Sequence, residues 1–122
     1  MDNPFEPGRL ARVIRDYQAS DPDPLIMRAG ERLALGRRDS QWPAYVWCTN
    51  RQGKGGWVPE AYLDRHGEQG VARRDYSAAE LSAAAGEQLV LEGEAGGWYW
   101  ATAPSGQSGW IPAEHVEVLP KT

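Results

Sequence analysis

Apolar residues in this chain come in short runs whose spacing is two, not three or four. Leu33 and Leu35 alternate with Arg32, Ala34 and Gly36, and Tyr45 and Trp47 alternate with Val46 and Cys48. That spacing predicts strands with one buried face. Leu10 to Tyr17, with a β-branched pair and a closing aromatic, predicts a strand before them. Between the runs stand turn-forming residues. Gln18-Ala19-Ser20-Asp21-Pro22-Asp23-Pro24 cannot continue a sheet interior and is expected to be an exposed loop. Arg37 to Pro43 is a polar loop, and Asn50 to Gly56 is a Gly-rich hairpin turn. Trp57-Val58 starts another strand, which Pro59 closes by removing a ladder donor.

The pattern then repeats. Gly55-Gly56-Trp57-Val58-Pro59-Glu60-Ala61-Tyr62-Leu63 returns as Ser108-Gly109-Trp110-Ile111-Pro112-Ala113-Glu114-His115-Val116. Arg15-Asp16-Tyr17 returns as Arg74-Asp75-Tyr76, Gly30-Glu31 as Gly86-Glu87, and the paired leucines as Leu89 and Leu91. The Ala-rich stretch 78–85 has helical composition, but its counterpart holds Asp21-Pro22-Asp23-Pro24, which no helix interior tolerates. Five short strands per repeat predict an all-β fold of two tandem small five-stranded barrels. The expected boundaries are a tail over 1–8, barrel one over 9–64, a linker over 65–69 and barrel two over 70–120.

Bulk properties narrow the function. The chain has 122 residues and a net charge of −4, which argues against general nucleic-acid binding. Residues 9–66 carry ten Lys/Arg and seven Asp/Glu, residues 67–122 three and eight. Opposite signs on neighbouring domains steer different partners. No apolar run reaches the roughly 20 residues a membrane span needs. The first seven residues lack the basic start and apolar core of a secretion signal. With a single cysteine, Cys48, no internal disulfide forms, and a cytoplasmic location is expected. No Ser/His/Asp or Cys/His set, metal-ligand spacing or phosphate-binding glycine loop stands out, so neither an enzyme nor a cofactor is expected.

Taken in order, the aromatic-ended first strand, the acidic loop, Gly-Glu, the alternating leucines, the aromatic pair and Gly-Trp-(Val/Ile)-Pro resemble a Src homology 3 (SH3) domain of the bacterial or variant type. The resemblance covers residues 9–63 and 70–119. It implies an adaptor that binds an extended peptide of a partner protein, Pro-rich or acidic, in aromatic grooves. By motif, the groove of repeat one would hold Tyr17, Trp57, Pro59 and Tyr62, with Asp21 and Asp23 in the loop. Tyr45 and Trp42 compete for the groove position that opens the third strand. Tyr45 is favoured because Pro43 leaves Trp42 in the loop, where it could still rim the groove. Repeat two would contribute Tyr76, Trp98, Trp110 and Pro112, with Glu80 in its shorter loop and His115 in place of a tyrosine. Where the family carries a further Tyr on the first strand, this chain has Arg15 and Arg74, able to stack on rings or to receive a carboxylate. Trp47, Trp100 and Cys48 are expected to pack. The competing expectation is self-association, with the aromatic faces buried between barrels or subunits.

Overall fold

The computed structural model describes residues 6–120. The described residues form twelve strands: β1 Arg9–Val13, β2 Ile26–Met27, β3 Arg32–Arg38, β4 Tyr45–Thr49, β5 Gly55–Pro59, β6 Leu63–His66, β7 Gln69–Ala72, β8 Tyr76–Ser77, β9 Gln88–Ala95, β10 Trp98–Thr102, β11 Ser108–Pro112 and β12 Val116–Val118. Single 3-10 turns at Glu60–Tyr62 and Ala113–His115 follow the two prolines. All-β architecture is thus as expected, and 78–85 is not helical.

Connectivity departs from the simple tandem reading. One five-stranded sheet runs β11-β10-β9-β1-β12, the other β5-β4-β3-β7-β6. The first strand of each repeat therefore sits in the sheet of the other repeat. The chain divides into one compact unit of residues up to 22 and from 79 onward, and a second of 23–78. The boundaries expected along the sequence, 9–64 and 70–120, are not those of the compact units. The strand at 9–13 completes the body formed by 79–118, and the strand at 69–72 completes the body formed by 25–66.

The bonds that hold the two exchanged strands are the same. Ala11 lies opposite Leu89, and Val13 opposite Val116. Gly70 lies opposite Leu33, and Ala72 opposite Leu63. Val13 N–H donates to Glu87 O and Val13 O accepts from Gly86 N–H; Ala72 does the same with Glu31 and Gly30. The acid of each Asp-Tyr pair then caps a turn. Ala85 N–H donates to Asp16 Oδ1 at 2.7 Å, and Ala29 N–H to Asp75 Oδ1 at 2.8 Å. Gly30 and Gly86 make these turns at φ of 88° and 97°, a region a side chain disfavours.

Two further expectations are corrected. Residues 65–69 are not a free linker: Arg65 and His66 belong to β6, Gln69 to β7, and Gly67-Glu68 is the hairpin turn between them. The first strand ends at Val13 rather than Tyr17; Tyr17 returns only as an isolated bridge to Ala83. The tail expected over 1–8 lies largely outside the described residues.

Each unit has its own core. Ala11, Val13, Leu81, Ala83, Leu89, Leu91, Ala101, Ile111 and Val116 form that of the first. In the second, Leu25, Met27, Leu33, Val46, Cys48, Val58, Leu63 and Ala72 are buried. In the first unit, Leu81 N–H donates to Trp110 O and Trp110 N–H to Ala79 O, laying residues 79–81 across β11. Gly109 makes that approach possible, because a Cβ there would fall 2.7 Å from the Glu80 carbonyl carbon and the Leu81 nitrogen. Those contacts are backbone and cannot step aside. Gly109→Ala is expected to destabilise the protein by about 1–3 kcal/mol in urea unfolding. Gly93→Ala, whose Cβ would meet Trp100 at an ordinary 3.6 Å, is expected to cost less.

Candidate functional site

Strand exchange assembles each candidate groove from both repeats. In the first unit, Tyr17 of repeat one packs edge-on against Trp98 at 5.9 Å and against His115 at 5.2 Å, both of repeat two. Its hydroxyl donates to Glu80 Oε1 at 2.7 Å, and Ser20 N–H donates to the same oxygen at 3.3 Å. Burial raises the Tyr17 phenol well above its ordinary range, and the hydrogen bond and charge of Glu80 push it further. Arg15 reaches Glu114, donating to its carbonyl at 3.2 Å and standing 3.7 Å from its carboxylate. His115 Nδ1 lies 3.3 Å from Arg15 O. Trp110 and Pro112 are buried, and Trp110 crosses Trp100 edge-to-face at 5.3 Å.

In the second unit the ring from repeat two is Tyr76. It is buried, packs against Tyr62 at 5.6 Å and donates from its hydroxyl to Trp57 O at 3.0 Å. The Arg74 guanidinium lies 4.5 Å above the Tyr62 ring, and Arg37 lies 5.2 Å above Trp57. Such stacking is electrostatically favourable and leaves guanidinium N–H groups directed outward at the ring edge. Trp57 also meets Trp47 edge-on at 5.1 Å. Pro59 and Tyr45 are buried, and desolvation raises the Tyr45 phenol, with the nearby Tyr62 adding to it. Trp42 is half-buried in the loop before β4, where Asp39 Oδ1 accepts from Gln41 N–H at 2.9 Å.

The grouping read along the sequence is therefore crossed. Tyr17, expected with Trp57 and Tyr62, packs with Trp98, His115 and Glu80. Tyr76, expected with Trp98 and Trp110, packs with Tyr62 and bonds the Trp57 carbonyl. Arg15 and Arg74 likewise reach residues of the opposite repeat. Asp21 and Asp23, taken together as one acidic loop, fall in different units. Tyr45 is buried at the start of β4 while Trp42 stays in the loop, as Pro43 suggested. Arg37 and Glu114 were missed. Arg37 was read as part of the polar loop, whereas it lies on β3.

The compact units keep the charge contrast. Residues 23–78 carry nine Lys/Arg and seven Asp/Glu, a balance of +2, and the rest of the chain carries four and ten, a balance of −6. Among the described residues no cluster of His, Cys, Asp and Glu could hold a metal ion, and no helix is long and apolar enough to cross a membrane.

A family model described as "Variant SH3 domain" matches the chain twice, over residues 10–64 and 70–119. The chain is 34% identical over 64 residues to the human protein named proline-serine-threonine phosphatase-interacting protein 1 (Homo sapiens). That match covers 52% of this chain and 14% of the human protein.

One measurement checks the crossed grooves and a second the burial of the core. Tyr17→Phe and Glu80→Ala are expected to couple by about 1 kcal/mol in a double-mutant cycle of urea unfolding, whereas Tyr17→Phe and Tyr62→Phe are expected to add. Burial pushes the Cys48 thiol up to about 11. A thiol reagent at pH 8 is expected to leave Cys48 unmodified in the native chain and to react once urea exposes it.

Proposed function

Because the chain belongs to the variant SH3 domain family, we propose that it is an adaptor whose second unit holds an extended, acidic peptide of a partner protein. Domains of this family are protein-interaction modules. The observation that carries the finer reading is Arg74 lying 4.5 Å over Tyr62. A guanidinium on that ring occupies the slot in which a proline would otherwise stack, and its N–H fork offers a carboxylate two parallel hydrogen bonds. Arg37 over Trp57 supplies a second cation on an aromatic of the same unit.

The first unit favours such a ligand less. Its loop carboxylate, Glu80, already accepts from Tyr17 and Ser20, and Arg15 already faces Glu114. Its balance of −6 repels an acidic chain, whereas the +2 of the second unit draws one in. An extended peptide with a carboxylate every few residues could meet Arg74 and lie along Tyr62, Tyr76 and Trp57 with little ordering cost. The buried thiol of Cys48 suits a reducing compartment, in keeping with a cytoplasmic adaptor.

The test is a titration of the intact chain with two fluorescent peptides of one extended Pro-containing sequence, one bearing Glu and the other Gln at the same positions. The Glu peptide is expected to bind more tightly and to weaken as salt is raised. Arg74→Ala is expected to cost it about 1.5–3 kcal/mol, roughly ten-fold or more in affinity, with Arg15→Ala changing it little. Equal binding of both peptides, or full affinity in Arg74→Ala, would overturn the reading.

A further inference from the structure

The two exchanged strands make matching backbone bonds at Val13 and Ala72, so those bonds do not decide which strand enters which body. Side-chain volume can. Ala11 and Val13 of β1 occupy the places that Gly70 and Ala72 hold on β7. All four are buried. The bodies differ in the opposite sense. Facing Val13 is Val116, and facing Ala72 is the longer Leu63. Deeper in, the body formed by 25–66 has Met27 and Cys48 where the other has Ala83 and Ala101, but Val46 and Val58 where it has Tyr99 and Ile111. The larger strand thus enters the body whose facing residue is smaller, Val116, and the smaller strand the body whose facing residue is larger, Leu63.

Restoring each strand to its own repeat breaks this match twice. Ala11 would take the place of Gly70, where an added Cβ falls 3.1 Å from Leu35 Cδ2, and Val13 would face Leu63 in place of Ala72. That overpacks one core. In the other body Gly70 and Ala72 would replace Ala11 and Val13 opposite Leu89 and Val116, leaving the site underfilled. The charges on the outer side do not choose, since Glu117 and Asp64 stand at matching positions beside the two strands.

We propose that the side-chain volumes at positions 11, 13, 70 and 72 make each first strand specific for the body of the other repeat, so that the two repeats are an obligate pair within one chain. Neither repeat is then a free-standing barrel. Each is a four-stranded body lacking the strand that the other carries.

Engineered disulfides in the full chain test this. Arg12 and Glu117 are exposed and directly opposite on β1 and β12, within reach of a disulfide. In the unexchanged arrangement position 12 would instead lie opposite Asp64, the partner of Val71. Arg12→Cys with Glu117→Cys is expected to cross-link within the monomer on mild oxidation, and Arg12→Cys with Asp64→Cys is expected not to. Cross-linking of the second pair, or covalent dimers from the first, would overturn the proposal. Exchanging the sizes, with Ala11→Gly, Val13→Ala, Gly70→Ala and Ala72→Val together, is expected to shift the cross-link to the 12/64 pair. Should that fourfold variant fail to fold, Leu63→Val with Val116→Leu reverses the fit from the side of the bodies and is expected to shift yield the same way. Unchanged 12/117 yield in a folded size-reversed variant would refute volume as the deciding factor.

Discussion

Everything in this molecule hangs on the pairing of β1 and β7 with bodies that lie elsewhere in the sequence. A five-stranded sheet without its fourth member leaves two ladders unpaired and a core face open, and buried backbone groups left without partners are costly. Val13, bonded to Glu87 and Gly86, and Ala72, bonded to Glu31 and Gly30, close those ladders. The turns at Gly30 and Gly86, capped by Asp75 and Asp16, hold the strands in register. From that closure follow both cores, and from the cores the placement of Tyr17 and Tyr76.

The grooves inherit the exchange. An arginine, an aspartate and a tyrosine arrive just after each visiting strand, while the tryptophan and the 3-10 turn belong to the host. Tyr17 is fastened by Glu80 and flanked by His115, whereas Tyr76 is fastened by a backbone carbonyl and flanked by Tyr62 beneath Arg74. One design thus yields two different surfaces, one closed on its own carboxylates and one bearing stacked cations.

Much of the fold was legible in the sequence. Period-two spacing at Leu33/Leu35 and Leu89/Leu91, together with the Gly and Pro punctuation, marked the strands because those signals are local. The Asp-Pro pairs correctly excluded a helix. Partner choice was not legible in the same way. Asp16-Tyr17 and Asp75-Tyr76 offer either body the same bonds, so motif matching along the chain assigned each tyrosine to its own repeat. The distinguishing information lay in four small side chains and in residues up to a hundred positions away, where no local pattern looks. That β4 opens at Tyr45 while Trp42 stays in the loop was legible because Pro43 acts locally.

The order of synthesis acquires meaning from this wiring. Residues 23–78 are continuous in sequence, so the second unit can close as soon as its last strand leaves the ribosome. The other unit joins β1 to strands that are made only after the whole of 23–78. Until β7 follows, β1 can compete for the nascent body at 25–66, and Leu63 and Leu35 discourage its settling there. The large residues of that body therefore act in time as well as in space, keeping a seat open for a strand that has not yet been translated.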